Sequence, residues 1–247
     1  MLLSGNPNSF YYEETTGLWT VPGSLNFPMA NGQGFYQYTY IGWVGKTFDF
    51  IGVLNTGNIS VPITNTNGGG WNIVGNPYPS PLDLDKVWDG GNNPGIFYRY
   101  YNNSYQTYIA PIGVGNPPGP TPFVPVMQSF WVREGTGNSG DPAYGTVEID
   151  NSMRVTDTSA YIGGFIKHTF PLFRIAMAHQ NDTVSSVVYF LNGATDSIDD
   201  SYDAYYLDGF NSFQFATKTG NTNMSINGLP ELTGLTDTIP LYTEVTV

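Results

Sequence analysis

The stretch Gly70-Trp71-Asn72-Ile73-Val74-Gly75-Asn76-Pro77-Tyr78-Pro79-Ser80 carries the strongest fold information in the sequence. Its first half is a short aromatic and β-branched run, which favours a strand. Its second half, together with Pro81, contains prolines at every other position, and these exclude both a helix and a central strand. A short strand that stops at a rigid turn is typical of antiparallel β-structure.

Short β-like runs between turn residues continue on both sides of this stretch. Only residues 82–88 have the character of a helix, and we expect one short helical turn there. The runs that we predict as strands cover residues 34–41, 47–54, 59–63, 71–74, 96–101, 105–109, 128–133, 170–178, 185–191, 212–219 and 239–247.

The composition supports the same fold class. Aromatic residues make up 15% of the 247 residues and charged residues only 11%, against roughly 25% charged in typical domains. The 30 glycines and 18 prolines interrupt the chain every few residues, which leaves little room for helices. We therefore predict an all-β protein.

The predicted strands divide into two antiparallel β-sandwich modules in tandem, of the jelly-roll or immunoglobulin-like kind. The first covers residues 1–155 and the second, smaller one covers residues 156–247 and is truncated at its C-terminus. Inside the first module, aromatic hairpins near Phe10 and Phe97 each lead to a strand that begins with Gln, a small residue and an aromatic residue. This pattern predicts an internal two-fold repeat.

Charge and cysteine content exclude several classes of partner. The net charge is −12 and the eight basic residues are scattered, so we expect no nucleic-acid binding. There are no cysteines, which excludes disulfides and thiolate metal sites. No apolar run reaches the roughly 18 residues of a membrane span, and we expect none. We expect the chain to be part of a longer protein.

The proline-rich stretch resembles the GWNLVGNPYPS signature of large secreted proteins of Bacteroidetes that are exported by the type IX secretion system. Further residues extend the resemblance over nearly the whole chain. They are residues 48–63, Met127 to Val132, Arg154, Ala194-Thr195-Asp196, Asp199, Tyr202-Asp203-Ala204, Leu207 and Ser225-Ile226-Asn227-Gly228-Leu229-Pro230. Ser129 and Trp131 depart from the family's usual residues.

The resemblance implies an extracellular or cell-surface location. In such proteins this region precedes a C-terminal sorting domain that contacts the secretion machinery, and that domain lies outside this chain. The family is defined by location and architecture more than by one activity. We therefore expect a non-catalytic structural or adhesive module, which contacts other surface-protein domains or copies of itself.

An acidic loop is the best candidate for a metal site. Asp196, Asp199, Asp200 and Asp203 supply several carboxylate oxygens within eight residues, and Ca²⁺ takes six to eight oxygen ligands. The spacing is not that of an EF-hand. The alternative is a solvated turn in which the aspartates cap backbone N–H groups. We carry Ca²⁺ forward as the predicted cofactor.

Catalytic patterns are weak throughout the sequence. His168 and His179 lie near no serine and acid pattern, which leaves a catalytic triad without support. Few glutamates are present, and none sits in a recognisable pair for glycoside hydrolysis. We predict that the chain is not an enzyme.

The aromatic content leaves one alternative function open, a carbohydrate-binding module of a secreted polysaccharide-degrading enzyme. Sugar binding would need two or more coplanar aromatic rings on one face, whereas a structural module would bury its rings. The candidate tryptophans are Trp19, Trp43, Trp71, Trp88 and Trp131.

Three short Asp-(Ser/Thr)-apolar tripeptides resemble sites at which Bacteroidetes O-glycosylate exported proteins. Their hydroxyl residues are Thr183, Ser197 and Thr238. We carry these forward as predicted modification sites.

Overall fold

Almost every regular element of the chain is a β-strand, which confirms the all-β prediction. The computed structural model describes residues 2–3, 6–24, 27–38, 51–101, 104–117, 121–138, 141–156, 169–179, 182–209, 213–234 and 238–245. Within these ranges the only α-helix is α1 (Leu84–Val87), and 3-10 turns cover Ala110–Ile112 and Asn151–Met153. Helix α1 lies inside the helical turn predicted at residues 82–88.

The strands are numbered in chain order. They are β1 (Leu2–Leu3), β2 (Asn6–Pro7), β3 (Ser9–Glu13), β4 (Leu18–Thr20), β5 (Tyr36–Gln37), β6 (Ile59–Pro62), β7 (Trp71–Gly75), β8 (Leu82–Asp83), β9 (Ile96–Tyr101), β10 (Ser104–Ile109), β11 (Val114–Asn116), β12 (Phe123–Val124), β13 (Ser129–Arg133), β14 (Thr146–Ile149), β15 (Leu172–His179), β16 (Asp182–Phe190), β17 (Ala204–Tyr205), β18 (Phe213–Thr219), β19 (Thr222–Leu229) and β20 (Leu241–Val245).

Five strands form a central sheet in the order β11-β10-β9-β13-β7, and every neighbouring pair is antiparallel. The register places Trp131 opposite both Ile73 and Tyr98, so these side chains share one face. Phe130, its neighbour in β13, pairs with Val74 and points to the other face. Because Phe130 and Trp131 are both buried, both faces of the sheet are covered.

The face that carries Phe130, which we call the apolar face, packs against the antiparallel pair of β6 and β14. Helix α1 closes this layer with Leu84 and Val87. The side chains between the layers form the largest core cluster. They include Ile59, Val61, Val74, Phe97, Phe130, Val132, Val147 and Ile149.

The opposite face packs against a second sheet, the C-terminal sheet, whose strand order is β15-β16-β19-β18-β20, with β17 also paired to β19. The pairing of β16 with β19 is parallel and the other pairings are antiparallel. We call the interface between the two sheets the seam. Its buried apolar residues are Tyr98, Ile109, Val114 and Trp131 from the central sheet and Val187, Tyr189, Ala204 and Ile226 from the C-terminal part.

A small N-terminal sheet, in the order β4-β3-β5, completes the layers. Its hairpin of β3 and β4 contacts the central sheet, with the ring centroid of Tyr12 lying 5.0 Å from that of Trp131. Both predicted aromatic hairpins are therefore present, the other being β9 with β10. The two-fold repeat itself stays a prediction.

Most predicted strands coincide with observed ones, including 96–101, but several results differ. Residues 39–50, which contain parts of two predicted strands, lie outside the described residues. Residues 51–54 contain no strand. Strands β1, β2, β8, β11, β12, β14, β17 and β19 were not predicted; most of them are runs of two to four residues that local patterns do not mark and that the tertiary structure pairs.

The two predicted modules meet along the seam. In the described residues no strand pairing joins residues before 156 to residues after 169, so each half has its own sheets. The halves are joined by side chains that share one buried cluster. The division into tandem sandwich modules at 155/156 stays a prediction.

Candidate functional site

The asparagines of the proline-rich stretch are buried and satisfied by backbone groups. The Asn76 amide nitrogen donates to the carbonyl oxygens of Ser80 at 2.9 Å and Val124 at 3.0 Å, and its Oδ1 accepts from the Tyr78 N–H at 3.0 Å. The Asn72 amide donates to the Thr64 carbonyl at 2.9 Å and its Oδ1 accepts from the Thr64 N–H at 3.1 Å. Backbone groups in a turn lack the regular partners of a strand, and these side chains supply their hydrogen bonds.

Tyr78 fixes the end of the same stretch to the apolar core. It is buried, and its hydroxyl lies within hydrogen-bond distance of two backbone carbonyls, that of Gly57 at 2.5 Å and that of Ile149 at 3.0 Å. The Arg154 guanidinium lies 5.2 Å from the Tyr78 ring centroid and donates from Nε to Ser80 Oγ at 2.8 Å. Arg154 therefore stabilises the proline-rich turn by a cation–π contact and a hydrogen bond.

Gly70 is required by a close backbone approach. Its φ of +68° is unfavourable for other residues, and a Cβ at this position would overlap the Glu134 carbonyl oxygen. The Glu134 N–H donates to the Gly70 carbonyl at 2.7 Å. The stretch is thus held at its start by backbone contact and at its end by side chains.

The acidic loop divides its four aspartates between different tasks. Asp203 is buried and caps backbone groups, since Oδ1 accepts from the Gly228 N–H at 2.7 Å and Oδ2 from the Asp199 N–H at 2.8 Å. Burial raises the pKa of Asp203 to about 7, although both backbone donors favour the charged form. Asp199 accepts from the Ser201 N–H at 2.9 Å, and Asp196 is exposed.

Asp200 lies in a separate charged group that crosses the seam. Its carboxylate lies 3.4 Å from the Arg133 guanidinium, which also pairs with Asp141 and lies 5.2 Å from the Tyr205 ring centroid. Burial raises the pKa of Asp200 to about 7. The positive charge of Arg133 lowers this pKa, whereas Asp141 raises it further. Burial would also raise the pKa of Asp141, but hydrogen bonds from Arg133 and Thr136 hold it well below its usual range.

These positions bear directly on the predicted Ca²⁺ site. Asp199 and Asp203 are brought together by a backbone hydrogen bond, while Asp200 is directed to Arg133. Among the described residues, no group of three or more His, Cys, Asp or Glu side chains is arranged to hold a metal ion. Asp203 fits the alternative interpretation, a turn in which aspartates cap backbone N–H groups. The Ca²⁺ site stays a prediction.

A second polar network, centred on Asn116, lies inside the seam. The Asn116 amide donates to the Ser185 carbonyl at 2.6 Å and to Ser225 Oγ at 2.9 Å, and its Oδ1 accepts from Ser185 Oγ at 2.7 Å and from Arg174. Thr107 Oγ1 donates to Ser225 Oγ at 3.1 Å. This network ties both sheets together through buried groups, and sequence reasoning missed it.

A repeated tripeptide could have revealed Asn116. Gly115-Asn116-Pro117 repeats the Gly-Asn-Pro of residues 75–77, and both asparagines are buried centres of hydrogen-bond networks. In contrast, no local pattern marks Thr107, Ser185 or Ser225 as partners of Asn116, since they come from three different strands.

An aromatic groove of about 220 Å³ opens along the seam. Its walls come from three parts of the chain, namely the N-terminal hairpin, the central sheet and the segment after β17. The lining residues are Tyr12, Trp71, Tyr105, Trp131, Leu207 and Asp208. Phe130 is fully buried, whereas Trp71 is half-buried and lines this groove.

The three predicted glycosylation residues, Thr183, Ser197 and Thr238, are all exposed. Exposure is what a modifying enzyme needs, and modification itself stays a prediction. Asp237, which begins the third tripeptide, lies outside the described residues. Within the described part of the chain, no helix is long and apolar enough to cross a membrane.

Fold and site together define a class of protein, an all-β protein in which several motif residues form internal hydrogen-bond networks and an open aromatic groove lies along the seam. The chain belongs to the family described as domain of unknown function (DUF8693), whose model matches residues 6–247. No curated protein and no solved structure shows significant similarity to it.

Proposed function

We propose that the chain is a non-catalytic structural module of an extracellular bacterial surface protein that is exported by type IX secretion. The observation that carries this proposal is the use of the motif side chains. Asn76, Tyr78, Arg154, Asp203 and Ser225 all direct their polar atoms to groups of the same chain. Motif residues of an enzyme or a receptor would instead leave polar atoms facing a ligand.

The carboxyl groups with raised pKa support the same proposal. Such groups are candidates for acid–base catalysis when they face a cleft. Asp203 has both oxygens bound to backbone N–H groups, and Asp200 faces Arg133 and Asp141. Both aspartates therefore have structural partners that account for their positions.

Self-association would suit such a module, and the C-terminal sheet has suitable edges. Its outermost strands in the described residues are β15 and β20, and unpaired strand edges invite pairing with another chain. Phe173 on β15 is partly exposed, as are Leu241 and Val245 on β20. We propose that copies of the chain, or neighbouring surface domains, contact these edges.

The carbohydrate-binding alternative has weaker support. A sugar-binding platform needs rings that lie side by side in one plane. The ring pairs around the groove meet at 67° for Tyr12 with Trp131, at 60° for Trp19 with Tyr36 and at 87° for Trp19 with Trp131. Strong, selective binding of the chain on a glycan array would support the carbohydrate-binding alternative.

The location is tested on the native parent protein. We expect protease added to intact cells to remove the DUF8693 region, and we expect that sensitivity to disappear in a strain that lacks the type IX translocon. A region that stays protected inside wild-type cells would contradict the proposal.

Edge association is tested by sedimentation velocity of the purified chain at increasing concentration. We expect concentration-dependent oligomers, which Phe173→Lys weakens because lysine on an edge strand opposes pairing. Ile51→Lys is the matched control, since Ile51 is 99% exposed outside the sheet. Equal effects of both variants, or a monomer at all concentrations, would argue against edge pairing.

Calcium and glycosylation have direct tests as well. If the acidic loop binds Ca²⁺, calcium raises the melting temperature and Asp199→Asn abolishes that rise; an unchanged melting temperature would contradict this prediction.

Intact-mass measurement of the native protein tests glycosylation at Thr183, Ser197 and Thr238. An unmodified chain would contradict the prediction of modification.

A further inference from the structure

Three rings that line the aromatic groove are contacted by rings that do not line it. Trp131 is contacted by Trp19 at a centroid distance of 5.6 Å and an angle of 87°. Trp71 is contacted by the buried Tyr98 at 5.0 Å and 80°. Tyr105 is contacted by Tyr100 at 5.3 Å and 69°. Edge-to-face contacts of this kind fix ring orientation, so the groove is preformed.

The groove is open, and its rings come from two parts of the chain. Trp71, Tyr105 and Trp131 come from one face of the central sheet, as the strand register requires. Tyr12 comes from the N-terminal hairpin and meets Trp131 at 67°. Rings that meet at a steep angle do not form a flat platform, and a cation is attracted to an aromatic ring face that it can reach.

The charge of the groove is negative. Asp208 is its one charged lining residue, and no lysine, arginine or histidine lines it among the described residues. Burial raises the pKa of the Asp208 carboxyl, and the negative charge of Glu244 raises it further, against a hydrogen bond with Gln214. The chain as a whole carries a net charge of −12. Aromatic faces, a carboxylate and the overall charge all attract cations and repel anions.

The size and shape of the groove distinguish a neutral sugar from a compact cation as its ligand. A volume of about 220 Å³ is smaller than the roughly 300–1,000 Å³ of pockets for drug-sized ligands, so the groove suits a single small group. A neutral sugar would stack on a flat ring platform, which these angles do not provide. A compact cation with apolar substituents matches both the aromatic lining and the carboxylate.

We propose that the aromatic groove binds an alkylated ammonium group of a small organic cation. Tyr12, Trp71, Tyr105 and Trp131 supply cation–π contacts, and Asp208 supplies the opposing charge at the rim. The site is independent of the proposed structural function, since a surface module can carry a ligand without catalysing a reaction on it.

Tryptophan fluorescence of the whole chain tests this site, because Trp71 and Trp131 line it. The probes are tetramethylammonium and choline, with sodium chloride added to hold ionic strength constant. Their comparators are 3,3-dimethyl-1-butanol, a neutral isostere of choline, and methyl glucoside. We expect saturable binding of both cations and much weaker binding of both neutral compounds.

Substitutions test whether choline binds in the aromatic groove. We expect Asp208→Asn to weaken choline binding about threefold, the size of an exposed charge contact, and Tyr105→Leu to weaken it by a similar or larger factor. The matched controls are Asp196→Asn, an exposed carboxylate in another loop, and Tyr38→Leu, a ring that is 55% exposed elsewhere. Both controls should bind choline as the unchanged protein does.

Three results would overturn the proposal. Equal affinity for choline and its neutral isostere would show that charge is not recognised. Binding of methyl glucoside without binding of tetramethylammonium would assign the groove to sugars. A lack of response to every probe, or equal weakening by Asp208→Asn and Asp196→Asn, would leave the groove without this function.

Discussion

The two faces of the central sheet bury similar numbers of large side chains in different ways. The apolar face is filled by Val74, Phe97, Phe130 and Val132 against β6, β14 and α1. The seam face adds buried polar groups, including Asn116 and Thr107, and the Arg133 charge cluster. Apolar packing stabilises without selecting one arrangement, whereas hydrogen-bond networks require one register. We infer that the apolar face supplies most of the stability and the seam face fixes how the halves dock.

The largest effect should come from breaking the apolar face. Phe130 is fully buried and its ring contacts Phe97 at a centroid distance of 5.5 Å. Phe130→Ala should lower the free energy of unfolding by about 3–5 kcal/mol through lost burial and the cavity left behind. Urea denaturation measures this, and a loss below about 1 kcal/mol would contradict the assignment of the core.

The second largest effect should come from the seam network. Asn116→Ala leaves Arg174, Ser185 and Ser225 without their shared partner, and unpaired buried groups cost about 1–3 kcal/mol each before relaxation. We expect a total loss of about 2–3 kcal/mol in urea. Asn138→Ala, in an exposed turn, is the control and should change stability by less than about 0.5 kcal/mol. Equal losses would mean that the network contributes nothing specific.

The charge cluster of the seam should make stability depend on pH. Asp200 and Asp203 have a pKa of about 7 in the folded chain, above the ordinary carboxyl value of about 4. The folded state therefore binds more protons between about pH 4 and pH 7, and stability falls as pH rises through this range. Below about pH 4 the low pKa of Asp141 acts in the opposite direction, since stability is lost as that carboxylate is protonated.

Asp200→Asn isolates one part of this dependence. The amide cannot lose a proton, so the decrease in melting temperature from about pH 5 to about pH 8 should become smaller. We expect the difference to correspond to about 1–2 kcal/mol once solvent screening is allowed for. Asp196→Asn should keep the full decrease, because Asp196 is exposed. An unchanged slope in Asp200→Asn would show that Asp200 stays charged in the folded state.

The smallest effect concerns a polar group next to the apolar core. Tyr78→Phe keeps the ring and its contact with Arg154 but removes the hydroxyl that donates to the Ile149 carbonyl. We expect a loss of about 1 kcal/mol, the net value of one hydrogen bond. Thermal unfolding measures it. A loss as large as that of Asn116→Ala would contradict the inferred difference between the two faces of the central sheet.

Local sequence was sufficient for most of the predicted strands and for the proline-rich turn. Aromatic and β-branched runs between glycines and prolines can form little else, and the strand at Ile96–Tyr101 has the predicted bounds. The short helix at Leu84–Val87, inside the predicted turn at residues 82–88, follows from the same local rules. These features depend on neighbours in the chain, which the sequence displays directly.

Only the tertiary structure decided which residues meet. Asn116, Arg174 and Ser225 are far apart in the chain, and the groove combines Tyr12, Trp131 and Asp208 from three separate segments. Periodicity describes one element at a time and carries no information on how two sheets are docked. The acidic loop shows the same limit, since its aspartates were predicted from spacing alone and their partners, Arg133 and the Gly228 N–H, come from other strands.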